Sequence, residues 1–125
     1  MTTGQTYKES DGKGVQVTLQ YTVVANQLAV VNNWIGVTVE AGDSGDIIAL
    51  EIEQCERQLV LPAGVSPDVG DILYLDIDDL TGHTPDDTAY GTSAGAGNVA
   101  VMKITKAKPS GSNVVCGIML NQFAS

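Results

Sequence analysis

Val15, Val17, Leu19, Tyr21 and Val23 alternate with Gln16, Thr18, Gln20 and Thr22. A period of two places every apolar side chain on one face of an extended chain, which predicts a long, regular, half-buried strand over 15–24. Further apolar or β-branched runs follow at Leu28 to Val31, Trp34 to Val39, Ile47 to Ile52, Leu59 to Leu61, Ile72 to Leu75, Val99 to Ile104 and Val114 to Leu120. The segments between them are built from turn formers: Ala41-Gly42-Asp43-Ser44-Gly45, Pro62-Ala63-Gly64, Pro67-Asp68-Val69-Gly70 and Pro109-Ser110-Gly111-Ser112-Asn113. Short strands at this spacing predict an all-β barrel or sandwich. Ile52, Cys55 and Leu59 fall at spacings that would also line a helix face, and the reading taken for that segment is strand, turn, strand.

Two segments offer little to bury. Residues 1–14 carry Gly4, Gly12 and Gly14 and few apolar anchors beyond Tyr7, so they read as a flexible N-terminal arm ahead of one β domain over 15–125. Asp86 to Asn98, with Ala94-Gly95-Ala96-Gly97 inside it, reads as an exposed, mobile loop. Two further stretches echo each other, Ala41-Gly42-Asp43-Ser44-Gly45-Asp46-Ile47-Ile48 and Val65-Ser66-Pro67-Asp68-Val69-Gly70-Asp71-Ile72-Leu73. Each is a Gly-Asp turn feeding an apolar strand, because glycine tolerates positive φ and aspartate accepts bonds from turn amides. The echo is too short to imply a repeat architecture.

Charge limits the partners. A chain of 125 residues with 15 Asp plus Glu against 6 Lys plus Arg carries −9 at pH 7. Such a chain repels phosphates and anionic headgroups, so neither nucleic-acid nor membrane-surface binding is expected. The acids concentrate between Glu40 and Asp87, while Lys103, Lys106 and Lys108 lie further on, which reads first as a solvated acidic face and, in functional terms, as the outward skin of a particle with the lysines nearer a partner. Cys55 and Cys116 show no metal-ligand spacing and are expected as small core residues; a disulfide between them would need an oxidising compartment. The polar first residues do not read as a secretion signal, so synthesis in a cytoplasm without export is expected.

No catalytic constellation emerges. Asp76, Asp78 and Asp79 form the densest carboxylate cluster, without the alternating ligands, central glycine and twelfth-position glutamate of a calcium loop. Around them the sequence resembles a motif of the trimeric deoxyuridine-triphosphate hydrolases, but the aromatic residue and the upstream Arg-Ser pair of those enzymes are missing, and Arg57 is the one arginine. His83 stands in the turn Thr81-Gly82-His83-Thr84 with no evident nucleophile beside it. The expectation is a protein that is not an enzyme and holds no metal or cofactor. Trp34 falls on the strand face opposite Ile35, Val37 and Val39; if those three face the core, the indole points outward and is the first candidate for a subunit contact.

Taken in order, Trp34-Ile35-Gly36-Val37, Glu40-Ala41-Gly42-Asp43-Ser44-Gly45-Asp46, Leu61-Pro62, Val69-Gly70-Asp71-Ile72-Leu73-Tyr74-Leu75-Asp76 and Thr81-Gly82-His83-Thr84 resemble the capsid cement, or head decoration, proteins of tailed bacteriophages. The likeness covers roughly residues 15–120. It implies a small β-barrel or β-clip-like domain, made in the host bacterial cytoplasm and assembled on the outer capsid surface of the virion. It further implies a homo-oligomer, a trimer being favoured, that stabilises the shell by bridging subunits of the major capsid protein. By the same resemblance the arm, including Thr2, Thr3, Gln5, Thr6, Tyr7 and Lys8, would order on the shell and add a strand to a capsid-protein edge. The long strand at 15–24 and the extended 86–98 loop depart from the family pattern. The alternative is a small β-barrel module of a phage tail or fibre that recognises a carbohydrate or protein, against which six aromatic residues in the whole chain argue.

Overall fold

The computed structural model describes residues 2–6, 10, 12–76, 90–95 and 97–120. The described residues hold nine strands and no helix: β1 Gly14–Thr18, β2 Leu28–Val31, β3 Trp34–Thr38, β4 Ile47–Glu51, β5 Glu56–Val60, β6 Ile72–Asp76, β7 Tyr90–Gly91, β8 Asn98–Lys106 and β9 Val114–Met119. They form two antiparallel sheets, one ordered β1-β4-β3-β2 and the other β5-β9-β8-β6-β7. The all-β class is as expected, but the sheets do not close into a barrel. β1 pairs with β4 and β5 with β9, so each half of the chain satisfies its own strands, and among the described residues each sheet ends in two unpaired edges. Alternation within a strand is the same for a barrel and for open sheets, which is why period two alone does not separate them.

The buried apolar side chains of both sheets make one connected cluster, from Leu19, Tyr21 and Leu50 in the first half to Leu73, Leu75, Val101 and Met119 in the second. Gly117 admits the closest approach within it: a Cβ there would come within 2.5 Å of Met102 Cγ and Sδ and 2.9 Å of the Lys103 carbonyl oxygen. Thr38 is the buried polar side chain among the described residues. Its hydroxyl accepts the Gln27 amide at 2.9 Å and donates to the Val24 carbonyl at 2.5 Å, so it carries no unmet hydrogen-bonding cost.

The strand expected over 15–24 is shorter in its regular part, which ends at Thr18. Its alternation nevertheless persists: Val17, Leu19, Tyr21 and Val23 are buried while Thr18, Gln20 and Thr22 are exposed. Beyond Thr18 the chain leaves the β1–β4 ladder and bonds instead to the loop before β4, through Leu19 to Asp46 and Gly45 and through Val23 to Gly42. Residues 52–55 separate β4 from β5, which is the strand, turn, strand reading. Within the loop expected over Asp86 to Asn98, Tyr90–Gly91 is an edge strand on β6 and Tyr90 packs against the core, while Asn98 opens β8. One aromatic residue among small ones is enough to anchor the chain there. The cysteines also differ from expectation: both are free, Cys55 is exposed ahead of β5, and Cys116 is half-buried on the outward parity of β9.

The Gly-Asp echo is a single turn built twice. Asp46 N–H bonds the Asp43 carbonyl at 3.0 Å, and the Asp46 carboxylate accepts the Asp43 amide at 2.8 Å. Asp71 and Asp68 repeat both bonds at 3.0 and 2.8 Å. Gly45 and Gly70 supply the positive φ, +94° and +90°, that a type II turn needs at its third position. Each turn then joins a neighbouring strand by two bonds, Gly45 with Leu19 and Asp46 in one sheet, Gly70 with Ile104 and Asp71 in the other, at 2.8–2.9 Å. Val24 to Gln27 is an open variant: Asn26 at φ 62° takes the glycine place and Gln27 Oε1 accepts the Val24 amide at 3.0 Å, but the Gln27 N–H donates to the Thr38 hydroxyl, which in turn donates to the Val24 carbonyl. These three turns launch β4, β6 and β2.

Candidate interaction surfaces

The arm contributes Thr2, Thr3, Gln5 and Thr6, all exposed. Thr2 to Gln5 closes as a fourth copy of the same turn: Gly4 has φ +86°, Gln5 N–H bonds the Thr2 carbonyl at 2.9 Å, and Gln5 Oε1 accepts the Thr2 amide at 3.2 Å. Tyr7 and Lys8 lie outside the described residues. Near its far end the arm is tied down where the Lys13 carbonyl accepts the Ile52 amide at 2.9 Å, which leads into β1 at the edge of its sheet.

Trp34 opens β3 after the Asn32-Asn33 turn, whose two positive φ values, 50° and 66°, match the tight hairpin type that suits strand twist. The indole is 37% exposed and so lies at the surface as expected. The parity argument fails at the other end of the run, because Ile35 and Val37 are buried but Val39 is 55% exposed. Val39 lies beyond β3, next to the exposed Glu40, where the core has already ended.

The outward parity of β9, inside the five-stranded sheet, is apolar to an extent that its sequence alone does not mark. Val114, Cys116 and Ile118 of β9 alternate with the buried Val115, Gly117 and Met119, so β9 is apolar on both faces. On that outward side Ile118 stands between Glu56 of β5 and Lys103 of β8, and Lys103 in turn stands beside Ile72 of β6. The signal was present in the sequence as a six-residue run, Val114 to Met119, with no polar residue to mark an outer face. Arg57 lies on the opposite parity and pairs with Glu51 at 3.2 Å, joining the two sheets.

Of the candidates for chemistry, Asp76 closes β6 and is half-buried, while Asp78, Asp79 and His83 lie outside the described residues. Among the described residues no three acidic, cysteine or histidine side chains come together in a way that could hold a metal ion. Among the described residues the perturbed titrating groups are two phenols, Tyr21 in the core and Tyr90 packed against it. Burial pushes Tyr21 up to about 12, and burial likewise pushes Tyr90 up. Both are packing residues whose rings fill the core.

Comparison with known proteins finds no matching family model, no matching curated protein and no matching solved structure.

Proposed function

We propose that this chain is a head decoration protein of a tailed bacteriophage, which binds the outer face of the capsid and stabilises the shell by bridging major capsid protein subunits. The observation that carries the reading is the exposed turn at Thr2 to Gln5. Its three counterparts each deliver the following residues into a sheet, so a fourth copy in the arm is a strand start suited to an edge outside its own fold. The ordered resemblance between Trp34 and Thr84 supplies the phage context. Apolar surface left open on both sheets at Val24, Ile47, Val60 and Val69 suits a protein whose working state is an assembly, in which many weak contacts on a closed lattice reinforce one another. The work is mechanical, and neither catalysis nor a cofactor is part of it.

The test is co-sedimentation with mature capsids that lack this component. The full chain should bind saturably in fixed proportion to the shell subunits, and a chain without residues 2–13 should stay folded by circular dichroism yet remain in the supernatant. Absence of binding by the full chain would overturn the capsid reading and favour a tail or fibre module. Equal binding by the shortened chain would overturn the docking arm.

A further inference from the structure

β5 is an edge strand of its sheet, and its outer side carries a row of unpaired backbone groups. Leu61 N–H bonds the Asn113 carbonyl at 2.9 Å, one step beyond the Val60–Val114 pair. Bonding alternates along an antiparallel ladder, so Arg57 and Leu59 turn their amides and carbonyls to β9 while Glu56, Gln58 and Val60 turn theirs away. Among the described residues no backbone bond meets those three on that side. Neither a proline nor a register shift blunts the edge. Beside β5 a cleft of about 390 Å³ lies between the two sheets, its apolar lining made by Leu28, Val37, Leu59 and Met102. Two buried side-chain donors lack an acceptor among the described residues, Arg57 Nε and Gln27 Nε2. Arg57 lines the cleft, and Gln27 stands between the lining residues Asn26 and Leu28.

We infer that this cleft takes an extended segment of another protein, added antiparallel to β5, with apolar residues facing inward and a lysine or arginine opposite Glu56. The backbone selects the class of occupant. Edge amides and carbonyls at every second residue are matched by a polypeptide of the same repeat. The unmet donors call for acceptor oxygens. Glu51 already holds Arg57 Nη2 at 3.2 Å and Glu56 stands in the lining, so a phosphate or carboxylate would be repelled and a neutral peptide carbonyl is the acceptor that fits. Charge then selects the sequence. Exposed Glu56 keeps its negative charge while accepting the Thr105 hydroxyl at 2.6 Å, which favours a cation directly across from it. A second copy is disfavoured, because each chain carries −9. Here the protein accepts a strand, whereas its arm donates one, so the inference stands or falls independently of capsid binding.

Fluorescence anisotropy of a dye-labelled peptide, Ser-Val-Val-Thr-Val-Lys-Ser, titrated with the full chain tests it. The second, fourth and sixth peptide residues, valine, threonine and lysine, are placed to face Val60, Gln58 and Glu56. Saturation below about 1 mM is expected. Methylating those three peptide amides keeps every side chain but removes the pairing, and should weaken binding by about tenfold or more. Gln58→Pro should do the same from the protein side, since the ring replaces an N–H that β9 does not use. Glu56→Lys should weaken binding of this peptide and strengthen binding of its counterpart with glutamate in place of lysine. Circular dichroism verifies that the variants remain folded, and if Gln58→Pro does not fold, the methylated peptide and Glu56→Lys still decide. Four results would overturn the inference: no saturation by about 1 mM, equal binding of the methylated peptide, an unchanged charge preference in Glu56→Lys, or a dimer in sedimentation equilibrium that Gln58→Pro dissolves, which would put a second copy on β5.

Discussion

The two sheets start strands with the same device and present different surfaces. Asp43 to Asp46 and Asp68 to Asp71 share a hydrogen-bond pattern whose lengths agree to within 0.1 Å, down to the carboxylate folded back on the first amide. Yet β4 follows a turn amid Glu40, Asp43 and Asp46, while β6 sits beside Lys103 and an apolar outer face. The turn depends on one positive φ and one side-chain acceptor, and it makes no demand on what the neighbouring strands show to solvent. A fold can therefore repeat its local grammar while its two halves acquire different exteriors.

The comparison breaks if the halves are energetically separate. Leu50 and Leu73, both fully buried, belong to different sheets but to one cluster. Leu50→Ala and Leu73→Ala are each expected to cost about 2–5 kcal/mol, in a single urea transition seen alike by Trp34 fluorescence and far-ultraviolet circular dichroism. Two separated transitions would mean that the sheets fold as independent units.

The core phenols sharpen it. Below pH 10 Tyr21 keeps its proton whether the chain is folded or not. Between pH 10 and about 12 the unfolded phenol loses its proton while the folded one retains it, so stability is lost as pH rises through that window. The loss from Tyr21 approaches about 2–3 kcal/mol at about 1.4 kcal/mol per pH unit. Tyr90, raised in the same direction, adds to the decline from the other sheet. Urea titrations at pH 9, 10 and 11 should show this fall, and Tyr21→Phe should flatten it; an unchanged slope in that variant would remove Tyr21 as its source.

The smallest effect tests the turns themselves. A Cβ at Gly45 or Gly70 meets nothing within 4 Å, so Gly45→Ala and Gly70→Ala isolate the cost of positive φ. Each should lose about 1–2 kcal/mol, and the two losses should match within about 0.5 kcal/mol. Unequal losses would show that surroundings outweigh the shared geometry.

Much of the strand inventory was legible because alternation and turn formers are local signals. Ile35, Leu73 and Val115 fall where the apolar runs put them. Sheet membership was not, since pairing β5 with β9 rather than with β4 is decided by contacts across more than fifty residues that leave no short-range pattern. Tyr90 escaped notice because a two-residue strand has no period. Cys116 looked like a core residue because its neighbours are apolar on both sides, a pattern that also describes a strand with a sticky outer face. The arm turn was hidden for a simpler reason: Thr2-Thr3-Gly4-Gln5 uses a glutamine where the recognised copies use aspartate, and the shared chemistry, an acceptor reaching back to an amide, shows only in the bonds.

The position of β9 has a consequence for how the protein is made. β9 lies between β5 and β8, and Glu51, the end of the first sheet, precedes Met119 by 68 residues. A ribosome adding roughly 5–20 residues per second needs about 3–14 s to cover that interval. During it the four-stranded sheet has all its strands while β5 waits without a partner, and buried Leu28 to Val31 face no second sheet. The nascent chain is thus at its most aggregation-prone in midsynthesis, and the acids from Glu40 to Glu56, already emerged, are the charges that keep neighbouring unfinished copies apart.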